Sequence, residues 1–214
     1  MIFISNPNNP TGTYVTKYEL KDFMVDLPDD VLLVLDEAYD TFIDVDDFPN
    51  SLKYVINSEQ SEKINNKNVI ILKTFSKAYG LAGLRIGYAI AKPHFASYME
   101  RARQPFNVNL LAQAAATAAL DDREFLRKTR KVILEGKSYL YESLTRLGIA
   151  YVPSVTNFIL IDVGRDSVGV FRDMLKYGVI VRDMKQYGLK NFIRVTIGIK
   201  KENERFIKVL KKIL

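Results

Sequence analysis

The chain has 214 residues, 48% of them hydrophobic and 26% charged. Its apolar runs fall short of the ~18 residues of a membrane span, so neither a disordered nor a membrane-spanning chain is expected. Cysteine is absent and histidine occurs once, as His94, which removes disulfides, thiolate and multi-histidine zinc sites, cysteine nucleophiles and serine triads. No metal is expected, and a reducing, cytoplasmic location is. The 31 basic and 25 acidic residues leave a net charge of +6, much of it on a C-terminal helix at Lys200, Lys201, Arg205, Lys208, Lys211 and Lys212. Basic residues are not interleaved with aromatics, so the charge reads as a lysine-rich surface and no nucleic-acid partner is expected.

Taken in chain order, residues 2–4 form the first continuous apolar run, and the chain therefore begins inside an apparent buried strand, as the latter part of a longer protein would. Thr16 and Glu19 have capping-box spacing ahead of Leu20, Phe23, Met24 and Leu27, which share one helical face and predict a helix over 16–27. Further apolar runs at 31–35, 69–72 and 86–91 predict parallel strands covered on both faces by helices. After Pro93 the pattern turns helical over 94–103, 110–120 and 123–147. The last of these opens with Asp121 and Asp122, carries Phe125, Val132, Leu140, Leu144 and Leu147, and stops at Gly148. A strand over 157–163, a helix over 168–177 closed by Gly178, strands over 179–182 and 192–197, and the basic terminal helix complete a small α+β unit. Residues 57–67 and 184–190 read as linkers, and the expected division is 1–135 and 136–214.

Ligands of parallel α/β sheets gather beyond the carboxyl ends of the strands. The first strand runs into Asn6-Pro7-Asn8-Asn9-Pro10-Thr11-Gly12, a turn with prolines to fix the backbone and asparagines to supply hydrogen bonds. The second ends at Asp36-Glu37-Ala38-Tyr39, where an acid emerges from five aliphatics; alone, Asp36 also fits a cap or loop anchor. The third gives Thr74-Phe75-Ser76-Lys77-Ala78-Tyr79-Gly80-Leu81-Ala82-Gly83-Leu84-Arg85. Hydroxyls and a guanidinium suit a phosphate, and a lysine amine beside them suits a Schiff base with an aldehyde. A P-loop does not fit, because the glycines follow the lysine.

On these three motifs, in order and spacing, the chain resembles the fold-type I aminotransferases that depend on pyridoxal 5'-phosphate, over essentially its whole length. Arg103-Gln104-Pro105-Phe106-Asn107-Val108-Asn109 makes it most similar to their histidinol-phosphate subfamily. The resemblance implies an α/β fold: part of a large pyridoxal-phosphate-binding domain, with a mostly parallel sheet and flanking helices, followed by a smaller α+β domain. It implies that Lys77 carries the cofactor and shuttles a proton, with Asp36 on the pyridine nitrogen and Tyr39 also catalytic. Asn9 and Tyr39 would bond the phenolic oxygen, Ala38 would pack on the ring, and Thr74, Ser76 and Arg85 would hold the phosphate. Arg194 and Asn157 are the implied substrate-binding residues; a surface arginine is the alternative for Arg194, and packing is the alternative for Asn157, Arg103 and Asn107. His94, at a helix start, reads as a surface residue.

The implied partners are a small amino donor and a 2-oxo acid, with a homodimer for the intact enzyme. The resemblance also implies a preceding portion with further phosphate donors, an aromatic that stacks on the ring, and a tyrosine that reaches the neighbouring subunit. Threonine-phosphate decarboxylases and aromatic aminotransferases share most of these motifs and remain open, as does an inactive fragment.

Overall fold

The computed structural model describes residues 1–56 and 61–214 and divides them into two compact units, Met1–Pro7 with Tyr14–Leu126, and Asn8–Thr13 with Arg127–Leu214. The division falls after Leu126, where the expected boundary lay at 135/136. Among the described residues no helix is long and apolar enough to cross a membrane.

The first unit opens with β1 (Ile2–Ser5), α1 (Lys17–Asp26) and β2 (Leu32–Asp36). The expected capping box is present: Thr16 Oγ1 accepts from the Glu19 amide, and the Glu19 carboxylate accepts from the Thr16 amide at 2.8 Å. Two single-turn helices, α2 (Leu52–Val55) and α3 (Glu62–Asn65), precede β3 (Asn68–Thr74). Of the expected 57–67 linker, residues 57–60 lie outside the described residues, and Glu62–Asn65 forms a helical turn. The unit continues with β4 (Gly87–Ala91), α4 (Pro93–Ala102), α5 (Leu110–Asp121) and the start of α6 (Arg123–Arg146).

The sheet order is β1-β2-β3-β4, with β1, β2 and β3 parallel and β4 antiparallel to β3, which makes the sheet mixed. The expectation of a parallel fourth strand is therefore corrected. A parallel return needs a long crossover, and the chain between β3 and β4 holds only a loop with one 3-10 turn, Ala82–Leu84. Leu33, Leu35, Val69 and Ile71 pack with Leu20 and Met24 of α1 and with Leu27 just after it, while Val34 and Ile70, which alternate to the other face, are also buried. Burial on both faces thus holds for β2 and β3, but β1 and β4 are edges, and Ile2 and Phe3 are exposed. Phe23, expected on the buried face of α1, is also exposed, because Leu20, Met24 and Leu27 already fill the contact with the sheet.

Loop 75–86 rests on a second cluster, in which Phe75 and Ile86 pack on Ala112 and Ala116 of α5. Two alanines one turn apart allow the close approach, and burial of the phenylalanine contributes about 1.5–3 kcal/mol.

The second unit contains the rest of α6, then β5 (Tyr151–Val152), β6 (Phe158–Asp162), α7 (Ser167–Lys176), β7 (Arg182–Asp183), β8 (Phe192–Thr196) and α8 (Lys200–Ile213). Its sheet is antiparallel, ordered β5-β6-β8-β7. Ile133, Leu140 and Leu144 of α6 are buried, whereas Phe125 and Val132, apolar residues of the same predicted helix, are more than a third exposed; the buried positions also take in Gly136, Lys137 and Ser143, which carry no hydrophobic signal. The strand expected over 179–182 shrinks to Arg182–Asp183. Val179 and Gly178 donate instead to Met174 and Leu175 at 3.1 and 2.9 Å, closing α7 with Gly178 at φ 68°. A 3-10 turn, Lys185–Tyr187, occupies the expected second linker.

Candidate functional site

In the first unit, the register of β2 on β3 pairs Asp36 with Leu72 and brings the two polar strand ends side by side. Asp36, Ala38, Leu72, Thr74, Ser76, Lys77 and Arg85, together with Lys73, line a cleft of about 330 Å³. That volume lies at the lower end of small-ligand sites, roughly 300–1,000 Å³. Asp36 Oδ1 accepts from the Ala38 amide at 3.1 Å, and Oδ2 has no hydrogen-bond partner among the described residues. The local bond is the loop anchor that sequence alone allowed, and the second oxygen faces no internal competitor.

Thr74 Oγ1 accepts from the Ser76 amide at 3.0 Å, a local turn at the end of β3, and both residues line the cleft with Lys77. Arg85 also lines the cleft: its guanidinium donates to Ala82 O at 2.8 Å and reaches Ser76 Oγ at 3.5 Å, the outer limit of a hydrogen bond. Its backbone sits at φ 54°, a left-handed conformation costly for any residue with a Cβ, and that strain is held where the arginine lines the cleft. Lys77 is exposed, and among the described residues no hydrogen bond or ion pair engages its amine, which lies 5.2 Å from the ring centroid of buried Tyr39.

Three neighbours went unrecognised in the sequence. Lys73 Nζ donates to Glu37 at 2.8 Å and to Asp40. Burial raises the Glu37 carboxyl above its usual range, with Lys73 opposing. Burial alone would lower Lys73, but the Glu37 and Asp40 charges outweigh it and hold the ammonium above the ordinary lysine value. The available signal was a lysine interrupting the apolar run of β3; its partners depend on sheet register.

In the second unit, Asn9 lies in the Asn8–Thr13 turn, which is closed by Gly12 N–H to Asn8 O at 2.8 Å and tied to the strand region by Val155 N–H to Gly12 O at 2.9 Å. Arg194 lies on β8, an inner strand, so it is not at a sheet edge, and its contact with Asn9 is exposed. Its guanidinium donates to Asn9 Oδ1 and stacks 4.9 Å from the Phe158 ring centroid, an arrangement that leaves the rest of the planar fork for a carboxylate. Asn157 is half-buried and its carbonyl accepts from the Ile197 amide at 2.9 Å, which extends the β6–β8 pairing. Arg103 pairs with Glu100 one turn earlier, Asn107 donates its amide to Gln104 O, and His94 is exposed against Phe95.

Residues 1–210 match the family described as aminotransferase class I and II. A histidinol-phosphate aminotransferase of Moorella thermoacetica is 50% identical over all 214 residues, which span 54% of its length. The crystal structure of histidinol-phosphate aminotransferase from Sinorhizobium meliloti in complex with pyridoxal-5'-phosphate superposes with a TM-score of 0.83 at 31% identity, over 99% of this chain and 57% of that one. L-threonine-O-3-phosphate decarboxylase from Porphyromonas gingivalis gives 0.81 at 28% identity, over 98% of this chain and 63% of that one.

Proposed function

Because the chain belongs to the aminotransferase class I and II family, we propose that it works through pyridoxal phosphate held by Lys77, moving an amino group from L-histidinol phosphate to 2-oxoglutarate. The products are imidazole acetol phosphate and glutamate, a step of histidine biosynthesis. The observation that carries this reading is the cleft in which Asp36, Thr74, Ser76, Lys77 and Arg85 converge. Its donor set fits the group: two hydroxyls and a guanidinium for a phosphate, a carboxylate oxygen without an internal partner for a protonated ring nitrogen, and an uncommitted primary amine. When bound, the cofactor supplies an electron sink for the carbanion left by loss of a substrate proton.

The chain's own residues then divide the work. The Asp36 carboxylate keeps the facing nitrogen protonated without itself moving a proton. With the cofactor bound, Lys77 Nζ would act as the general base that takes the proton from the substrate carbon and as the acid that delivers it to the cofactor's carbon. Ala38 offers a small apolar surface to the ring, and Tyr39 and Asn9 are the proposed partners of its phenolic oxygen. Arg194 is the proposed carboxylate and phosphate ligand of the substrates, and Asn157 a further contact. We also assign the second unit as the small α+β domain, and a homodimer in the cytoplasm as the working form.

The likeness to a threonine-phosphate decarboxylase favours a second reading with the same cofactor and a different bond broken. Product analysis separates the two. With pyridoxal phosphate and 2-oxoglutarate, glutamate should form from histidinol phosphate and not from phenylalanine, and Lys77→Ala should abolish it. Carbon dioxide from threonine phosphate, with no glutamate from histidinol phosphate, would replace the first reading with the second.

A further inference from the structure

Glu37, Asp40 and Lys73 form a charged cluster to which the proposed reaction gives no task. Lys73 lies in β3 between Leu72 and Thr74, and its side chain is only 20% exposed where it meets Glu37 and Asp40. Glu37 is 5% exposed, its Oε1 has no hydrogen-bond partner among the described residues, and its Oε2 is the atom that meets Lys73. Lys73 is the largest influence favouring the charged form of this carboxylate, with Ser51 adding to it, and a buried charge without its partner is far less stable than a buried pair.

The two acids flank Ala38 and Tyr39. Their turn is closed by Asp40 N–H to Glu37 O at 3.2 Å and Phe42 N–H to Tyr39 O at 3.1 Å, and its backbone tie to β3 is Glu37 N–H to Leu72 O at 3.0 Å. A side-chain tie adds to that bond, because the Lys73 ammonium on β3 meets both Glu37 and Asp40 of the turn. On one side of it lie Asp36, Ala38 and Tyr39; on the other lie Thr74, Ser76 and Lys77. Tyr88, paired with Lys73 across β3 and β4, and Tyr79 pack nearby, their hydroxyls raised above the usual tyrosine range by burial, with Lys73 opposing.

We infer that Lys73 is a positioning residue: bridging Glu37 and Asp40, it holds turn 36–39 against segment 74–77 and so keeps the carboxylate and the amine of the cleft in one arrangement. The role rests on the proposed use of Asp36 and Lys77 toward pyridoxal phosphate, and it is separable from that use by experiment. A lysine is suited to the task because its ammonium can donate to two acids at once, and an arginine fork can do the same.

The first test needs no cofactor. Amide hydrogen exchange of the full chain is compared for wild type, Lys73→Arg and Lys73→Met. In Lys73→Met the amides of Asp40, Phe42 and Ile43 should exchange about tenfold faster or more, while those of Leu33 to Leu35 in β2 keep their protection; Lys73→Arg should stay near wild type. If Lys73→Met fails to fold, Asp40→Asn cuts the same bridge more gently and should give a smaller change at the same amides. Unchanged exchange in this turn, or an equal rise throughout the first unit without rescue by arginine, would overturn the role. The second test is retention of pyridoxal phosphate, which should weaken about tenfold in Lys73→Met and recover in Lys73→Arg, the scale on which supporting residues alter ligand affinity. Equal retention by all three would also overturn it. A wild-type chain that retains no pyridoxal phosphate would count against the proposed function instead, and the exchange data would then decide the role of Lys73.

Discussion

Replacing Gly12 by alanine tests how the turn that carries Asn9 is held. Gly12 has φ 76°, and a Cβ built on it would lie 2.2 Å from Ser154 Oγ, 2.6 Å from Ser154 Cβ and 3.2 Å from its Cα. The left-handed conformation costs a non-glycine residue about 1–2 kcal/mol. The overlap adds about 1–3 kcal/mol, typical of overpacking, because Ser154 is buried and cannot swing away without breaking its hydroxyl contact to Thr156 at 2.8 Å. Together these predict a loss of about 2–5 kcal/mol for Gly12→Ala, read from urea unfolding followed by far-ultraviolet circular dichroism. Ser154→Gly removes the two nearest atoms and leaves the backbone cost in place. In a double-mutant cycle it should recover about 1–3 kcal/mol, so that the alanine in that background costs only about 1–2. A loss below about 0.5 kcal/mol, or strictly additive effects, would refute the idea that close approach to Ser154 fixes this turn.

Other expectations follow from single contacts. Thr16→Ala should cost about 1 kcal/mol by removing the cap of α1. The hydroxyl and amide of Thr16 hold the Glu19 carboxyl below its usual value, so its contribution is present above the ordinary carboxylate range and lost as pH falls through the lowered value; α1 amides should lose protection there, and Glu19→Gln should remove that acid step. Lys67, 6% exposed, donates to the Leu27 carbonyl at the end of α1 and pairs with exposed Asp29 at 2.7 Å. Lys67→Met should cost about 1–3 kcal/mol by stranding that carbonyl, whereas Arg146→Ala, which breaks an exposed pair, should cost under about 1. Lys73 has a raised folded value, so its contribution is complete below the ordinary lysine value and fades as pH rises through the raised one. In wild type the stability that the ammonium supplies should hold through neutral pH and fade above about pH 10.5, while in Lys73→Met the Glu37 carboxyl, having lost its opposing charge, should take up a proton at higher pH than in wild type; urea unfolding across pH reads both.

The parts of the fold and site that were legible in the sequence rest on local signals. Runs of aliphatics mark β2 and β3 because both faces of these strands are buried, and the polar residues that follow such runs, Asp36 and Thr74 to Arg85, mark the cleft wall. The capping box at Thr16 is likewise a three-residue signal. Strand direction is not encoded in a hydrophobic run, so β4 read as parallel until the short connection was seen. The strand expected after Gly178 is shortened where the helix end claims the Val179 amide, a competition that periodicity does not register. The bridge of Lys73 to Glu37 and Asp40 joins residues more than thirty positions apart, at 33 and 36, and becomes visible only once β2 is placed beside β3. The Arg194 contact with Asn9, 185 residues away, was hidden for the same reason.

The central claim is that the Lys77 amine is the cofactor-bearing group of the cleft. The most direct measurement is the visible spectrum of the chain with pyridoxal phosphate, followed by borohydride reduction and peptide mapping. The account predicts a shifted absorbance band and a single reduced adduct on Lys77, both lost in Lys77→Ala. An unshifted spectrum, or adducts scattered over surface lysines and unchanged in Lys77→Ala, would contradict it.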